Sequence, residues 1–470
     1  MQNFDLVIIG GGSAGLSAAE FGNKLGVRTA IIEKDRIGGD CTWSGCIPSK
    51  ALIESAKVLH TIRGAEHFGF QVAEPEVSFR KVMSRVNQVV EDIYQGESPE
   101  VLRKAGIEVI KGAPTFLDRH TVEVNGQEIV SRNFILATGA HPYIPPIPGL
   151  GKTDYLTYEH VWMLKELPER LIILGGGAVG VEFSQAFQRL GSQVTLLDAG
   201  SRLIKEADPR ASETLQRVLA GEGVEIHNQT LASKVWRDDD GIHVQAGDRE
   251  FSADQLLLSV GRRPNTDGMS LEKAGVEYDL QGIKVDRNMQ TSRSNIYAAG
   301  DCTGGPQFTH VAGWQASNAV RNALLPWSRQ SVIENPPWTL FSDPEIAQVG
   351  LNSLQARKKY GDNVQVKTWL MDGVDRAHTS GAKEGFVQVV FRKSGKVLGA
   401  TVVGERAGEL IHEWVLAVTH DLKVGDIALS LHSYPSYAMA NMQTATEIQT
   451  AKTLSGFQGW ALKLLAQGWD

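Results

Sequence analysis

The chain has 470 residues, which is too long for one hydrophobic core and suggests about three domains of ordinary size. Its 42% hydrophobic and 21% charged residues are typical of a soluble globular protein, and no apolar run reaches the length of a membrane span. A net charge of −7 without a basic tail argues against nucleic-acid binding, because phosphate contacts need clustered lysines and arginines.

The beginning of the chain and its cysteine content indicate the compartment. The first strand-like run begins at residue 4, so we expect no signal or transit peptide before it. Three cysteines are too few for the disulfide scaffold of a secreted protein. We therefore expect a cytoplasmic protein that uses closely spaced cysteines for redox or metal chemistry.

The first predicted unit is a buried strand, a glycine turn and a helix. Residues 4–9 (FDLVII) form the strand, and the turn contains Gly10, Gly12 and Gly15. The first glycine permits the tight turn, the second lets the backbone approach a pyrophosphate, and the third allows close helix–strand packing. The helix N-terminus offers free N–H groups to phosphates, and Glu33, which ends the next strand, can bind both ribose hydroxyls. This unit predicts a dinucleotide site.

Two cysteines follow, in the stretch CTWSGCIPSK. Pro48 is tolerated in the first turn of a helix, so Cys46 is expected near a helix N-terminus, which favours its thiolate. Residues five apart on an undistorted helix cannot form a disulfide, so we expect Cys41 in an irregular segment before that helix. A redox pair is favoured over two buried structural cysteines, and over a metal pair, because no His/Cys partner set completes a zinc site. Cys302 has no partner and is expected to be a packed small residue.

Residues 78–105 have the pattern of one long amphipathic helix, which we interpret as scaffold. Thr138 and Gly139 end another apolar strand at the expected edge of the first domain, where they are assigned to the first dinucleotide site. The Pro- and Gly-rich stretch 141–151 (HPYIPPIPGLG) is typical of a linker between domains.

A second strand–turn–helix unit begins at residues 171–174 (LIIL), and its glycines keep the same spacing: Gly175, Gly177 and Gly180. Asp198 occupies the ribose position, and Gly261 is assigned to the same nicotinamide site. A carboxylate at that position favours NADH over NADPH, because it would repel a 2′-phosphate. Arg202 follows four residues later and is interpreted as a solvated loop arginine.

Further breaks near residues 263–265 and 335–337 complete the domain prediction. The fold class predicted is α/β, with two Rossmann-like dinucleotide-binding domains and a C-terminal α+β domain. These breaks divide the chain into three predicted domains: residues 1–148 together with 264–335, residues 149–263, and residues 336–470. Residues 295–301 (NIYAAGD) end in Asp301, which is suited to bind a sugar-alcohol hydroxyl of the flavin. In the last domain, 384–392 and 396–403 are expected to be strands and 407–420 a helix.

Together GGGSAG, GGDCTWSGCIPSK, NIYAAGD and FSDPEIAQVG resemble the pyridine nucleotide–disulfide oxidoreductases over nearly the whole chain. GGDCTW and the DRA at 375–377 are most like mercuric-reductase-like members, with dihydrolipoamide-dehydrogenase-like members also similar. The resemblance implies that residues 1–148 and 264–335 form an FAD domain, residues 149–263 an NAD(P)H domain and residues 336–470 a dimerisation domain. It implies a homodimer in which hydride passes from the nicotinamide to FAD and then to a Cys41–Cys46 disulfide. It implies that Cys46 is the thiolate next to the flavin and that Cys41 attacks substrate. It further implies that Lys50 lies near the flavin and pairs with Glu182.

The C-terminal region departs from the family pattern. Disulfide reductases of the family carry a His and a Glu that move the thiol proton in the partner's site. Here Tyr434 stands in the His position and Met439 in the Glu position. A phenol with a reference pKa near ~10 is a poor proton shuttle at neutral pH, and methionine cannot ionise. His432 lies two residues away, but a structural role is favoured for it over substitution for the missing histidine.

Mercuric reductases also carry Tyr in this position, together with a C-terminal cysteine pair. None of the three cysteines here lies near the C-terminus, and Ala178 stands where those enzymes have a second tyrosine. The sequence therefore predicts an NADH-dependent reductase of a soft metal ion or an activated disulfide, with no resident metal. The alternatives are a quinone reductase that uses the flavin alone and a redox-sensing flavoprotein. The apolar tail at 457–469 is expected to pack in the dimer rather than to contact a membrane surface.

Overall fold

The computed structural model describes residues 2–327 and 330–468. Contacts divide the chain into two compact units, which we describe separately. The first unit comprises Met1–Ala199 and Thr230–Ile333, and the second comprises Gly200–Gln229 and Glu334–Asp470. Among the described residues, no helix combines the length and the apolar character needed to cross a bilayer.

The first unit contains a mixed seven-stranded sheet, whose strands are, in order along the sheet, Glu108–Lys111, Thr29–Glu33, Gln2–Ile9, Gln127–Leu136, Thr121–Val124 and Thr115–Phe116, with Ile296–Ala298 also paired to Gln127–Leu136. The central pairs are parallel, and the last two strands add on antiparallel. Ile8 and Ile31 face one side of the sheet, and Ile9 and Ile32 face the other, so apolar cores cover both faces. This two-sided burial explains why the strands appear in the sequence as continuous apolar runs.

A second parallel group contains Arg170–Leu174, which pairs with Gln193–Leu197 on one side and Gln255–Leu258 on the other. A three-stranded antiparallel sheet follows in the chain, made of Lys234–Asp238, Gly241–Ala246 and Arg249–Ala253. The short strands Tyr278–Asp279 and Gly282–Ile283 pair with each other. The helices of this unit are Ser13–Lys24, Gly39–Trp43, Cys46–Arg63, Phe79–Tyr94, Pro99–Lys104, Ala178–Leu190, Leu271–Ala274 and Thr309–Leu324.

The second unit is built on a five-stranded antiparallel sheet in the order Trp338–Leu340, Glu345–Gly350, Val397–Gly404, Phe386–Arg392 and Val364–Leu370. Its helices are Pro209–Gly221, Ser353–Tyr360, Asp375–Ser380, Ala407–Thr419, Val424–Ala428, Met439–Thr453 and Gly456–Gln467, and it also contains the strand Glu225–His227. Trp414 is fully buried at the centre of its core and donates its indole N–H to Asn441 at 2.8 Å.

The α/β class and the two strand–turn–helix units are confirmed, as are both predicted C-terminal strands and the helix after them. The single long helix predicted over 78–105 is wrong, because the structure has two helices, Phe79–Tyr94 and Pro99–Lys104. Pro99 cannot continue a preceding helix and begins a new one, whose first turn is capped by the Ser98 hydroxyl accepting from the Val101 N–H at 3.4 Å. The predicted linker 141–151 overlaps a strand, Ala140–Pro142, which pairs with Arg262–Pro264 at the second predicted break.

The third glycine of each unit is required by packing. A Cβ at Gly15 would lie 1.8 Å from the Gly10 carbonyl oxygen, and a Cβ at Gly180 would lie 1.9 Å from that of Gly175. Both helices therefore start so close to their strands that any side chain would collide with backbone.

We expect Gly180→Ala to destabilise the protein by about 1–3 kcal/mol or more, because the colliding atom is backbone and cannot move aside cheaply. Gly177→Ala is the matched control, since nothing lies within 4 Å of a Cβ at Gly177. Thermal unfolding of the two variants checks this, and equal melting temperatures would contradict it.

Candidate active site

The two cysteines are brought together by a break between two helices. Cys41 lies in the short helix Gly39–Trp43, and Cys46 is the first residue of the helix Cys46–Arg63. Gly45 separates them with φ −103° and ψ −108°, far from helical values. The prediction that Cys46 lies at a helix N-terminus is confirmed. The prediction of an irregular segment at Cys41 is wrong, because Cys41 lies in a second short helix. The change of backbone direction at Gly45 between the two helices brings the two cysteines together.

The segment between the cysteines is held by hydrogen bonds from three side chains. The Trp43 indole N–H donates to the Ile37 carbonyl at 2.7 Å, and the Trp162 indole N–H donates to the Ser44 carbonyl at 3.0 Å. The Thr42 hydroxyl donates to Glu97 at 3.0 Å. Because a helix of five residues is not stable alone, these contacts fix its position.

Cys41 and Cys46 are free thiols that hydrogen-bond to each other. The hydrogen bond from Cys41, with a smaller contribution from Thr309 and from the charge of Lys50, lowers the pKa of Cys46 to about 6. The same hydrogen bond, together with burial, raises the pKa of Cys41 well above its usual range. The Cys46 sulfur lies 3.4 Å from the Thr309 hydroxyl. Cys46 is therefore the thiolate of the reduced pair at neutral pH, and Cys41 keeps the proton.

The Lys50–Glu182 pair expected from the sequence is present. Lys50 Nζ donates to Glu182 Oε2 at 2.8 Å, and the Glu182 side chain is only 7% exposed. Lys50 lies one helical turn after Cys46 on the same helix, whereas Glu182 belongs to Ala178–Leu190. The two charges act on the pKa of Cys46 in opposite directions: Lys50 lowers it and Glu182 raises it.

The first glycine turn fits a dinucleotide. The nearest heavy atom to a Cβ at Gly12 is 3.6 Å away, so the backbone there is open to a ligand, as the pyrophosphate needs. Glu33 Oε2 accepts the Gly11 N–H at 2.6 Å, which holds this carboxylate beside the turn. Asp301 is largely buried and pairs with Arg262 at 2.7 Å.

The second glycine turn repeats this geometry. Asp198 Oδ2 accepts the Gly176 N–H at 2.5 Å, the counterpart of the Glu33 contact and at the same sequence separation of 22 residues. A Cβ at Gly177 would meet nothing within 4 Å, so this backbone is also open to a pyrophosphate. The residues of both turns thus fit FAD and a nicotinamide nucleotide.

The remaining predicted cofactor residues lie around the paired linker strands. The Thr138 hydroxyl donates to the Asn265 carbonyl at 2.6 Å, and Gly139 follows with φ +69°. The Gly261 carbonyl accepts the Tyr143 N–H at 2.9 Å. Cys302 is fully buried, as the sequence predicted, and burial raises its pKa to about 11.

In the second unit, Tyr434 donates its hydroxyl to Asp375 Oδ2 at 2.9 Å, and this hydrogen bond raises the pKa of the phenol. His432 contacts the Ser430 carbonyl through Nδ1 at 2.8 Å and Glu413 through Nε2 at 2.9 Å. Both ring nitrogens of His432 are therefore engaged in structural contacts. Met439 is partly buried and begins the helix Met439–Thr453.

Sequence reasoning missed four polar residues of the first unit that contact predicted site residues or lie near them: Asp40, Tyr158, Arg262 and Thr309. Asp40 and Arg262 are 222 residues apart, and local pattern gives no sign of their pairing. The only signal for Asp40 was its place directly before Cys41.

The apolar tail helix Gly456–Gln467 exposes Phe457 and Trp460, while Trp469 lies outside the described residues.

Residues 4–316 match the profile of the pyridine nucleotide-disulphide oxidoreductases, and residues 336–445 match the dimerisation domain of the same family. The chain belongs to this family. Its members use FAD and a nicotinamide nucleotide, so the chain is an oxidoreductase of the flavoprotein disulfide reductase type, and the dimerisation domain supports a homodimer.

Relatives include a mercuric reductase of Bacillus cereus, 36% identical over 93% of this chain and 70% of its own length. A dihydrolipoyl dehydrogenase of Thermus scotoductus is 36% identical over 95% of this chain and 97% of its own. The HOCl-induced flavoprotein disulfide reductase RclA of Escherichia coli superposes with a TM-score of 0.85 at 29% identity, covering 94% and 99% of the two chains. A Cu(II) complex of RclA gives a TM-score of 0.84 at 28% identity over 95% and 100%.

We expect Lys50→Met to raise the pKa of Cys46, because the substitution removes a positive charge that stabilises the thiolate. Glu182→Gln should lower that pKa, because it removes a destabilising negative charge. The pH dependence of iodoacetamide alkylation of the reduced protein measures both, with the thiolate lost in wild type as the pH falls through about 6. Shifts of the same sign in the two variants would show that these charges do not act on Cys46.

Proposed function

We propose that the protein is an NADH-dependent reductase that passes electrons through FAD and the Cys41–Cys46 pair to a soft metal ion. The observation that carries this proposal is the polarised thiol pair, in which Cys46 is a thiolate with a pKa of about 6 and Cys41 is its hydrogen-bond donor. Thiolates are the ligands that soft metal ions prefer, and a low pKa makes one available at neutral pH.

In this proposal each residue has one role. Glu33 and Asp301 would hold FAD, and Asp198 would hold the ribose of the nicotinamide nucleotide. The bound flavin supplies the transfer of an electron pair from the nicotinamide to the Cys41–Cys46 disulfide. Lys50 then stabilises the Cys46 thiolate, and Cys41 releases its proton to solvent as its sulfur binds the metal ion. The two sulfurs return to the disulfide as their two electrons pass to the acceptor.

Proton balance favours a metal acceptor over a disulfide. Reduction of a disulfide by NADH consumes one proton from solution and requires protons at both sulfur atoms of the products. Reduction of one Hg(II) ion to the metal, or of two Cu(II) ions to Cu(I), by one NADH yields NAD⁺ and releases one proton, so no acid is needed to protonate a leaving group. In the family's proton-shuttle positions, Tyr434 has a raised pKa and donates to Asp375, and Met439 cannot ionise. These positions therefore suit the reaction that needs no proton delivery.

The relatives support the same class of acceptor. Mercuric reductases are about as similar to this chain as the dihydrolipoyl dehydrogenase is, and RclA has been solved as a Cu(II) complex. Among the described residues, no group of three or more His, Cys, Asp or Glu side chains forms a metal site. Two thiols without further ligands suit an ion that binds, is reduced and leaves.

We expect the purified enzyme to oxidise NADH with Hg(II) or Cu(II) as acceptor and to turn over lipoamide and glutathione disulfide poorly. Cys41→Ser should reduce the metal-dependent rate to background, because the attacking thiol is lost. The measurement is the anaerobic loss of NADH absorbance in the presence of each acceptor.

Cys41→Ser also separates this proposal from its alternatives. If quinones are reduced rapidly by both wild type and Cys41→Ser while metal ions are not, the protein is a quinone reductase and the metal proposal is wrong. Negligible NADH oxidation with every acceptor would instead favour a redox-sensing flavoprotein.

The proposed preference for NADH over NADPH is argued from the contacts of Asp198 and Arg202. Asp198 is held at the second glycine turn by the Gly176 N–H, where a 2′-phosphate would meet its negative charge. The Arg202 guanidinium donates to the carbonyls of Lys205 and Ala207 in its own loop, at 2.7 and 3.3 Å, which engages it in structural contacts.

We therefore expect kcat/KM to be higher for NADH than for NADPH. Asp198→Ala should lower the ratio of kcat/KM for NADH to kcat/KM for NADPH, because it removes the repulsion of the 2′-phosphate together with a ribose contact. Steady-state kinetics with both nucleotides test this, with Arg202→Ala as the control that leaves the ratio unchanged. A wild-type preference for NADPH would overturn the assignment.

We also propose that residues 1–148 and 264–335 form the FAD domain and 149–263 the NAD(P)H domain, and that the protein acts as a homodimer. The two glycine turns and the paired linker strands support the division. The match of residues 336–445 to the dimerisation domain supports the dimer.

A further inference from the structure

We propose that Arg262 is a positioning residue that fixes the segment carrying Cys41 relative to the carboxylate of Asp301. Asp40, directly before the attacking cysteine, is the anchor through which Arg262 acts. This inference goes beyond the choice of acceptor. It rests on the proposed place of Asp301 in the flavin site.

One guanidinium joins the two segments. Arg262 donates through Nη2 to Asp40 Oδ2 and through Nη1 to Asp301 Oδ2, the latter at 2.7 Å. Because different nitrogens of a rigid planar group make the two contacts, neither carboxylate can shift without disturbing the other. The exposed fractions of the side chains are 23% for Arg262, 13% for Asp301 and 35% for Asp40, so water screens these pairs only in part.

Tyr158 supports the same arrangement from a second direction. Its hydroxyl donates to Asp40 Oδ2 at 3.0 Å, and its ring centroid lies 5.2 Å from the Arg262 guanidinium carbon. Tyr158 thus contacts both members of the Asp40–Arg262 pair. An aromatic face beneath a partly buried guanidinium also stabilises the charge.

Charge explains why the arginine is needed. Burial raises the pKa of Asp301, and the positive charge of Arg262 opposes that effect. Without Arg262, two carboxylates would remain in a region of restricted solvent access with no cation between them. One of them would have to move or take up a proton.

The opposite side of the Cys41 segment is fixed to the first glycine turn. The Gly38 N–H donates to the Gly11 carbonyl at 2.8 Å, and a Cβ at Gly39 would lie 2.7 Å from the Gly12 Cα. Asp40 therefore stands between this backbone contact and Cys41. The short helix Gly39–Trp43 is held against the glycine turn at its start, and Arg262 holds it through the next side chain.

The test is a double-mutant cycle with Asp40→Ala and Arg262→Ala, measured on two properties other than turnover. The first is the dissociation constant of FAD, from the flavin fluorescence of reconstituted apoprotein. The second is the apparent pKa of Cys46, from the pH dependence of iodoacetamide alkylation of the reduced apoprotein.

We expect Asp40→Ala to weaken FAD binding about tenfold, and the same substitution to have no further effect in the Arg262→Ala background. We also expect it to raise the pKa of Cys46, because the displaced Cys41 no longer donates its hydrogen bond. Loss of a nearby negative charge would by itself lower that pKa, so a rise reports lost position and not lost charge.

Independent effects on FAD binding that multiply in the double variant would overturn the inference, as would an unchanged or lowered Cys46 pKa in Asp40→Ala. Asp301→Ala removes the other carboxylate that Arg262 binds. It should weaken FAD binding and raise the Cys46 pKa less than Asp40→Ala does, because Tyr158 still holds Asp40. Thermal unfolding checks that each variant is folded, and Arg262→Lys replaces Arg262→Ala in the cycle if the alanine variant does not fold. Since neither property depends on an acceptor, failure of metal reduction would leave this inference standing.

Discussion

The hydrogen bond from Cys41 to Cys46 determines which sulfur carries negative charge, and the chemistry of the site depends on that assignment. It requires two thiols that are five residues apart to come into contact, which a continuous helix cannot allow. The break at Gly45 makes the contact possible, and a Cβ there would lie 2.9 Å from the Asp40 carbonyl oxygen. The thiol pair, the helix N-terminus at Cys46 and the position of Lys50 one turn later follow from this local geometry, and the fold brings Glu182 to Lys50 from another helix.

The surrounding structure maintains that geometry with contacts from distant parts of the chain. Trp162 binds the Ser44 carbonyl, Arg262 binds Asp40, and Thr309 lies against the Cys46 sulfur. Each contact joins the cysteine segment to a different element of the first unit. A short helix with little stability of its own is in this way held in one position, which a site that exchanges electrons with a bound cofactor requires.

The sequence allowed much of this to be predicted where local pattern carries the information. The two glycine turns, the strands before them and the helix beginning at Cys46 follow from apolar periodicity and from residues with strict backbone preferences. Asp40–Arg262 and Tyr434–Asp375 could not be predicted, because their members are 222 and 59 residues apart and only the folded chain brings them together. The long helix expected over 78–105 failed for a different reason: its amphipathic pattern continues past Ser98-Pro99, where the backbone must break.

The central claim is that electrons from the nicotinamide reach the cysteine pair, and an anaerobic titration with NADH followed by visible absorbance tests it most directly. A thiolate at Cys46 next to an oxidised flavin should produce a long-wavelength charge-transfer band in wild type, before the flavin itself is bleached. Direct bleaching of the flavin without that band would mean that the cysteines are not coupled to it, and the thiol-based account of this site would be wrong.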